Sequence, residues 1–580
     1  MRAPRPSSPA APTALDWGGL AVLLLAATAL RVFALDLGLP HLRARPDEFP
    51  ILERTVEAAQ GRFDFDWGVY PPAYLYLHWL WGELWVHVGA AFGLLPTSDY
   101  VALWRDDAPR LYLIQRALSA LCGVATVALA GIAAWRRLGR AAAASVAAWL
   151  ALCFLHARDS HAIKPDALLA LVALAVVVLS ARLARAPSLG RAAWAGLAVG
   201  AAAAAKYNGV VTAAVVAVAA WAGARRGGAR GVGLALPRTL LVAGLASAAF
   251  FVATSPFVLF NESSLRMLDD TLRAVFPQLF GAPTASLVDR FANVVGPDPP
   301  AWATRLGPFG TAWYHVAFSL WYGIGAVPTL LAAPALAFGF ASREWLLRLA
   351  AVMVVSWFAV VAASPVMLAR YMTPLLPALA LLEGALVAGA VDAAARRSAA
   401  VRGALGEGTG RRALAALALT VVAMAGSLRS AVAHERLASR VDTRVAAQQW
   451  LAANAAPGSR VLVVGTVFFP WGAPQVPKGL VQAALPARGA GLARAGIDFV
   501  VAHDHELFWS TVDPGWLAAQ GRALELVAEF DPRAGASDAT PVFEVNDAYY
   551  LPIAGFSGVA TGGPHVWIYR VRRGGGLERK

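Results

Sequence analysis

A succession of long apolar segments separated by short arginine-rich links constrains this chain more than any other feature. The first, residues 17–35, holds Arg31 as its only charge and, at about 1.5 Å per residue, is long enough to cross most of a hydrocarbon core. Across 580 residues, 58% are hydrophobic and only 15% charged, a composition that excludes a single soluble core and points to an α-helical polytopic membrane protein. A net charge of +14 would suit nucleic acid in a soluble protein. Here the arginines cluster between apolar segments, the pattern that orients a chain in a bilayer, so no nucleic-acid partner is expected.

Arg31 lies near the end of the first span, where its stem can snorkel. Arg2 and Arg5 before an apolar run suit a signal peptide, but the run is long and no small-residue cleavage site follows, so a retained anchor with an inner N-terminus is expected. Residues 71–92, with Tyr74, Tyr76, Trp79, Trp81 and Trp85, read as helix lying in the outer interface. A crossing there would move Arg136, Arg137 and Arg140 outside together with Arg182, Arg185 and Arg191, against the positive-inside rule.

Further spans are expected at 110–135, 141–155 and 165–180. Within 191–223, Lys206-Tyr207-Asn208-Gly209 marks a turn between two short helices, because one continuous span would place Arg225, Arg226 and Arg230 outside. Segments 237–260, 316–340, 346–363, 373–390 and 413–428 bring the total to about eleven transmembrane helices. Residues 1–428 thus form the membrane body, with outer loops at 36–109 and 261–313. Cys122 and Cys153 fall in apolar segments and read as small packing residues.

From about residue 429 the composition changes, and residues 429–580 read as an extracytoplasmic α/β domain. A helix is expected over 443–455, with strands at 460–465, 499–502, 524–530 and 566–571. No Gly-rich phosphate loop stands between strand and helix, so no nucleotide is assigned. The heavy use of Ala, Arg, Gly and Pro suits a GC-rich bacterial genome.

By this topology the outer face gathers Asp47 and Glu48, the run from Arg158 to Asp166, the Lys206 turn, and Arg370-Tyr371. The carboxylate pair is either solvated loop charge or a general base or metal ligand in a cleft. Arg158-Asp159 also reads as a rim ion pair, His161 as a polar surface or core histidine, Lys206 as a lysine snorkelling at an interfacial turn, and Arg370 as an ordinary headgroup contact. Carboxylates and cations at one membrane face suit group transfer from a lipid phosphate, a base activating a hydroxyl while cations stabilise the departing phosphate. A transporter or flippase of lipid-linked glycans is the alternative, but that class places ionisable residues near the midplane and often carries paired repeats. Here the charges sit at one face and no repeat is evident.

Several stretches resemble the type C (GT-C) glycosyltransferases, in particular the family 39 group of protein O-mannosyltransferases and bacterial aminoarabinose transferases of lipid A. They are Pro46-Asp47-Glu48, Tyr70-Pro71-Pro72, Arg158-Asp159-Ser160-His161 with Pro165-Asp166, Ala205-Lys206-Tyr207, and the run from Arg370-Tyr371 to Pro377. Asp442-Thr443-Arg444 and Pro457-Gly458-Ser459-Arg460-Val461 look like stretches of many bacterial relatives. The resemblance implies a GT-C fold and an inverting transfer of sugar from a polyprenyl-phosphate donor to a lipid, glycan or protein hydroxyl at the outer face of the cytoplasmic membrane. It implies Asp47 as catalytic base with Glu48 beside it, Asp159 as the second acid, and Lys206, Arg370 and Arg158 on the donor phosphate. Tyr70, His161, Asp166, Tyr207 and Tyr371 would contact substrate. A divalent metal at Asp47 and Asp159 is compatible with the resemblance without being implied by it. The loop 261–313 lacks the repeat-domain signature of the eukaryotic protein O-mannosyltransferases, which leaves the acceptor open.

Overall fold

The computed structural model describes residues 13–225, 235–275, 281, 308–364, 366–406, 408–467, 469–487 and 491–573. Arg226, Arg230 and most of the expected loop 261–313 lie outside the described residues. The rest packs as two compact units, one drawn from residues 1–35, 51–290 and 298–431, the other from 36–50 and 432–580.

The first unit is helical. In chain order the first nine α-helices are α1 (Ala14–Val32), α2 (Glu48–Ala59, of which residues 51–59 belong to this unit), α3 (Pro72–Ala91), α4 (Tyr100–Leu138), α5 (Arg140–Ala151), α6 (Phe154–Asp159), α7 (Asp166–Arg185), α8 (Leu189–Ala205) and α9 (Ala213–Ala224). Longer helices follow at Leu236–Thr254, Ala326–Ala341, Trp345–Ala363, Leu376–Arg397 and Thr409–Ala423. Among the described residues, six helices are long and apolar enough to cross a membrane, or up to eight if each of two bent pairs is one span. This is a multi-pass membrane protein, and among the described residues fewer helices than the eleven expected are full-length spans. The shortfall has local causes: α5 and α8 are apolar but only 12 and 17 residues long.

The expected span at 316–340 is broken at Gly325, where Gly310–Ile324 and Ala326–Ala341 meet at 119°. Gly325 sits at φ +95, a conformation that L side chains resist. The last expected span, 413–428, is likewise two helices bent by 59°. α4 kinks at Asp107, two residues before Pro109, because proline blocks the helical bond and displaces the residues ahead of it.

Two further expectations are corrected by packing. Arg31 does not snorkel: it is wholly buried, donating to the carbonyl oxygens of Leu150 at 3.0 Å and Ala151 at 3.4 Å, where α5 ends and its last carbonyls lack partners. Tyr74 is buried as well, whereas Trp85 on the same helix is exposed. α8 approaches helix Leu236–Thr254 so closely that a Cβ on Gly196 would stand 2.1 Å from the Ala243 oxygen, and one on Gly200 2.4 Å from the Ser247 oxygen. A small residue every fourth position is what lets apolar helices pack at backbone distance in a bilayer.

The second unit is built on a five-stranded sheet in the order β2-β1-β3-β5-β4, from β1 (Arg460–Val464), β2 (Val481–Ala483), β3 (Phe499–Asp504), β4 (Leu524–Phe530) and β5 (His565–Val571). β1 runs parallel to β2 and β3, and β5 antiparallel to β3 and β4. Four strands were expected; β2 is three residues long and mostly exposed, too short to carry an alternation. Val461, Phe499, Val501, Val566 and Ile568 face Ala447 and Leu451 of helix Thr443–Asn454, while Leu462, Val500 and Val571 turn to the opposite face.

Asp442 caps that helix through the Arg444 amide and grips the Arg444 side chain with both oxygens, at 2.8 and 2.6 Å. Burial pushes the Asp442 carboxyl up, but Arg444 outweighs it and holds the group below its ordinary value. Burial, aided by Arg444, pushes His41 and His503 down to about 3; burial, Arg533 and Arg444 do the same to His505. In the unfolded chain these imidazoles titrate near 6.5, so between there and about 3 the unfolded state holds more protons. Stability of this unit is therefore complete above that window and lost as pH falls through it. Hydrogen exchange of β1, β3 and β5 in the intact protein is expected to accelerate between about pH 6.5 and pH 4.5; protection independent of pH would contradict the assignment.

Candidate active site

The polar run between α6 and α7 is buried almost throughout: Arg158, Asp159, His161, Lys164 and Asp166 are each less than 5% exposed. The sequence places it there by ending one apolar helix at Asp159 and starting the next at Asp166, with Pro165 at the cap, where a missing N–H costs nothing. An acid in the first turn of α7 also meets the positive end of the helix.

Asp159 accepts from Arg158 Nε at 3.1 Å and from the Thr373 hydroxyl at 2.6 Å. Asp166 accepts from Lys206 Nζ at 2.9 Å. Arg370 and Lys164 also act electrostatically on Asp166. The Lys206 ammonium lies 4.8 Å from the centre of the Tyr371 ring, a cation–π contact. Arg370, Tyr371 and Thr373 share one 3-10 turn, Ala369–Leu375, and Lys206 is the hinge between α8 and the 3-10 turn Tyr207–Thr212.

The helical unit therefore joins Arg158, Asp159, Asp166, Lys206, Arg370 and Tyr371 in one cluster. Within this unit the cations Arg158, Lys164, Lys206 and Arg370 meet the carboxylates Asp159 and Asp166. Lys206 keeps 14% of its side chain exposed and Arg370 is half-buried, so both reach the cluster's open side. Cations gathered among apolar helices are suited to holding an anion, and low local dielectric strengthens the attraction.

Other expected residues make further contacts. His161 is a core histidine whose Nδ1 pairs with the Ala157 carbonyl oxygen at 2.9 Å. Tyr207 packs its ring toward Phe251, with centroids 6.4 Å apart. Tyr70 belongs to an aromatic ladder, 5.6 Å from Trp67 and 5.9 Å from Tyr74.

Asp47 and Glu48 belong to the other unit. Glu48 is buried and opens α2; Asp47, half-buried, sits at φ +73. That left-handed conformation costs a non-glycine residue about 1 kcal/mol, least for Asp and Asn, so the surrounding structure must hold it. Among the described residues, no group of three or more His, Cys, Asp or Glu is arranged to hold a metal ion. Asp159 has both oxygens engaged, which does not suit a metal ligand, and no step is routed through one.

Thr373 and Lys164 were not singled out in the sequence, although each stands beside residues that were; the signal was a hydroxyl three positions after Arg370 and a cation two before Asp166. Glu383 was also missed. It is buried within helix Leu376–Arg397, accepting from Trp149 Nε1 at 2.8 Å, and a lone carboxylate in an apolar span was its signal.

No protein-family model matches the chain, and no curated protein matches it. Solved structures do. The apo form of ArnT from Cupriavidus metallidurans is similar over 96% of this chain and 98% of that one, at 16% identity and a TM-score of 0.50. The chain has the GT-C fold. ArnT bound to undecaprenyl phosphate aligns over 97% of this chain and 99% of that chain, with 15% identity and a TM-score of 0.49. The oligosaccharyltransferase AglB from Archaeoglobus fulgidus, in complex with an inhibitory peptide and a dolichol-phosphate, aligns over 90% of this chain and 73% of that one, with 12% identity and a TM-score of 0.47.

The Asp166–Lys206 pair makes a direct prediction. Asp166→Leu leaves an uncompensated cation beside Lys164 and Arg370 and is expected to cost about 3 kcal/mol, whereas adding Lys206→Met should restore most of it. Thermal melting of the four proteins in one detergent checks this; additive losses would contradict the pairing.

Proposed function

We propose that the chain is an integral membrane glycosyltransferase that moves a sugar from a polyprenyl-phosphate donor to a hydroxyl on a lipid, glycan or protein. The observation that carries this reading is the gathering of Lys206, Arg370, Lys164 and Arg158 with Asp166 and Asp159 among apolar helices of a GT-C fold. An anion presented there must come with an apolar body, and a lipid phosphate has both parts.

Roles follow from chemistry. In the helical unit, Lys206 and Arg370 take the donor phosphate and offset the charge that grows on its oxygen as the bond to the anomeric carbon breaks. Arg158 and Thr373 fix Asp159, and Asp166 holds Lys206 in place. In the other unit, Asp47 takes the proton from the acceptor hydroxyl, with Glu48 beside it. The hydroxyl oxygen forms the new bond to the anomeric carbon from the side opposite the phosphate, so configuration inverts and polyprenyl phosphate leaves. The reacting face is extracytoplasmic, on the charge distribution of the connecting loops.

Purified protein in lipid, offered a panel of polyprenyl-phosphate sugars and hydroxyl acceptors, is expected to release polyprenyl phosphate, and Asp47→Asn to lower the rate by about a thousandfold with the fold intact. Donor that crosses the bilayer unreacted, equally in both proteins, would replace the enzyme with a transporter.

A further inference from the structure

The acidic pair is carried on residues 36–50, a stretch far from the C-terminal domain in sequence that packs within the same compact unit as residues 432–580. His41 and Arg45 are among the side chains that hold it there. His41 is 1% exposed and lies within electrostatic reach of the bidentate Arg444–Asp442 pair. Arg45, 3% exposed, lays its guanidinium 3.7 Å from the centre of the Tyr549 ring, close enough for a strong cation–π contact away from water.

Tyr549 is itself fixed. Its hydroxyl lies 2.6 Å from His434 Nε2, and His434 Nδ1 lies 3.1 Å from Glu435 Oε1. His434, Glu435 and Tyr549 are all buried. The relay from Glu435 through His434 to Tyr549 thus ends on Arg45, and only Pro46, whose ring restricts φ, separates Arg45 from Asp47. Asp47 stands at φ +73, a conformation that persists only where neighbouring structure enforces it.

We propose that the C-terminal unit is the positioning device for the acidic pair, with Tyr549 as its positioning residue: its ring fixes Arg45 and so the backbone that presents Asp47 and Glu48. This rests on the reading of Asp47 as the base. Tyr549 touches no reacting atom. It sets where the carboxylates stand, so its loss slows turnover without weakening the donor's hold.

The test uses the full chain in lipid nanodiscs, comparing wild type, Tyr549→Phe, Tyr549→Ala, Asp47→Asn and the Tyr549→Ala/Asp47→Asn double variant. Hydrogen exchange is read over residues 41–52, and kcat and KM are read with the donor that supports transfer. In Tyr549→Ala, exchange over 41–52 is expected to rise about tenfold while β1, β3 and β5 stay protected, and kcat to fall about thirtyfold at a donor KM within about twofold of wild type. Tyr549→Phe, which keeps the ring, should stay within about threefold of wild type, and the double variant should be no slower than Asp47→Asn alone.

Unchanged exchange over 41–52 in Tyr549→Ala would overturn the proposal, as would faster exchange with unchanged kcat or losses that add in the double variant. If the wild-type protein transfers from no donor, the proposed function falls. The clamp is then judged by exchange alone, and the same unchanged rate in Tyr549→Ala overturns it.

Discussion

Charge placed among apolar helices has to be neutralised where it sits, and the ion pair between Asp166 and Lys206 is where this structure meets that requirement. The carboxylate starts α7, the ammonium ends α8, and their contact at 2.9 Å ties the Lys206 hinge to the polar run from Arg158 to Asp166. Thr373 ties the Arg370 turn to the same run through Asp159. Three separate helix ends thus share one set of charges. Pairing of the buried charges is what lets them sit among apolar helices.

Burial of single charges elsewhere follows the same logic with different partners. Arg31 satisfies the last carbonyls of α5, and Arg444 is locked by Asp442 with both oxygens. Arg31 thereby ties α1 to the end of α5, and Arg444 also donates to the Trp471 carbonyl oxygen at 2.6 Å. The Asp442-Thr443-Arg444 stretch thus serves the fold directly, capping helix Thr443–Asn454 and setting the charge that His41 meets.

Much of this was legible because it is local. Apolar runs gave helix Trp345–Ala363 nearly to the residue and the start of Asp166–Arg185, which continues five residues past the expected end through Arg182 and Arg185, and the Lys206-Tyr207-Asn208-Gly209 break appears where a lysine and a glycine interrupt an apolar stretch. The grouping of Asp159, Asp166, Lys206, Arg370 and Tyr371 could be foreseen from which helix ends share a face. What could not be foreseen depends on contacts between distant residues. Nothing near Arg31 says that α5 ends beside it, and nothing in the loop says that Arg45 meets Tyr549. The bend at Gly325 hid in an apolar run because a glycine in such a run is compatible with straight helix.

The central claim is that the helical unit holds a lipid phosphate through Lys206 and Arg370, and equilibrium binding tests it without any need to know the sugar. Affinity of the intact protein for undecaprenyl phosphate and for undecaprenol would be measured in wild type and in the Lys206→Met/Arg370→Met double variant. The account predicts that wild type prefers the phosphate and that the double variant loses about a hundredfold in affinity for it, with binding of the alcohol unchanged. Equal affinity of wild type for phosphate and alcohol, or an unaltered affinity for the phosphate in the double variant, would contradict it.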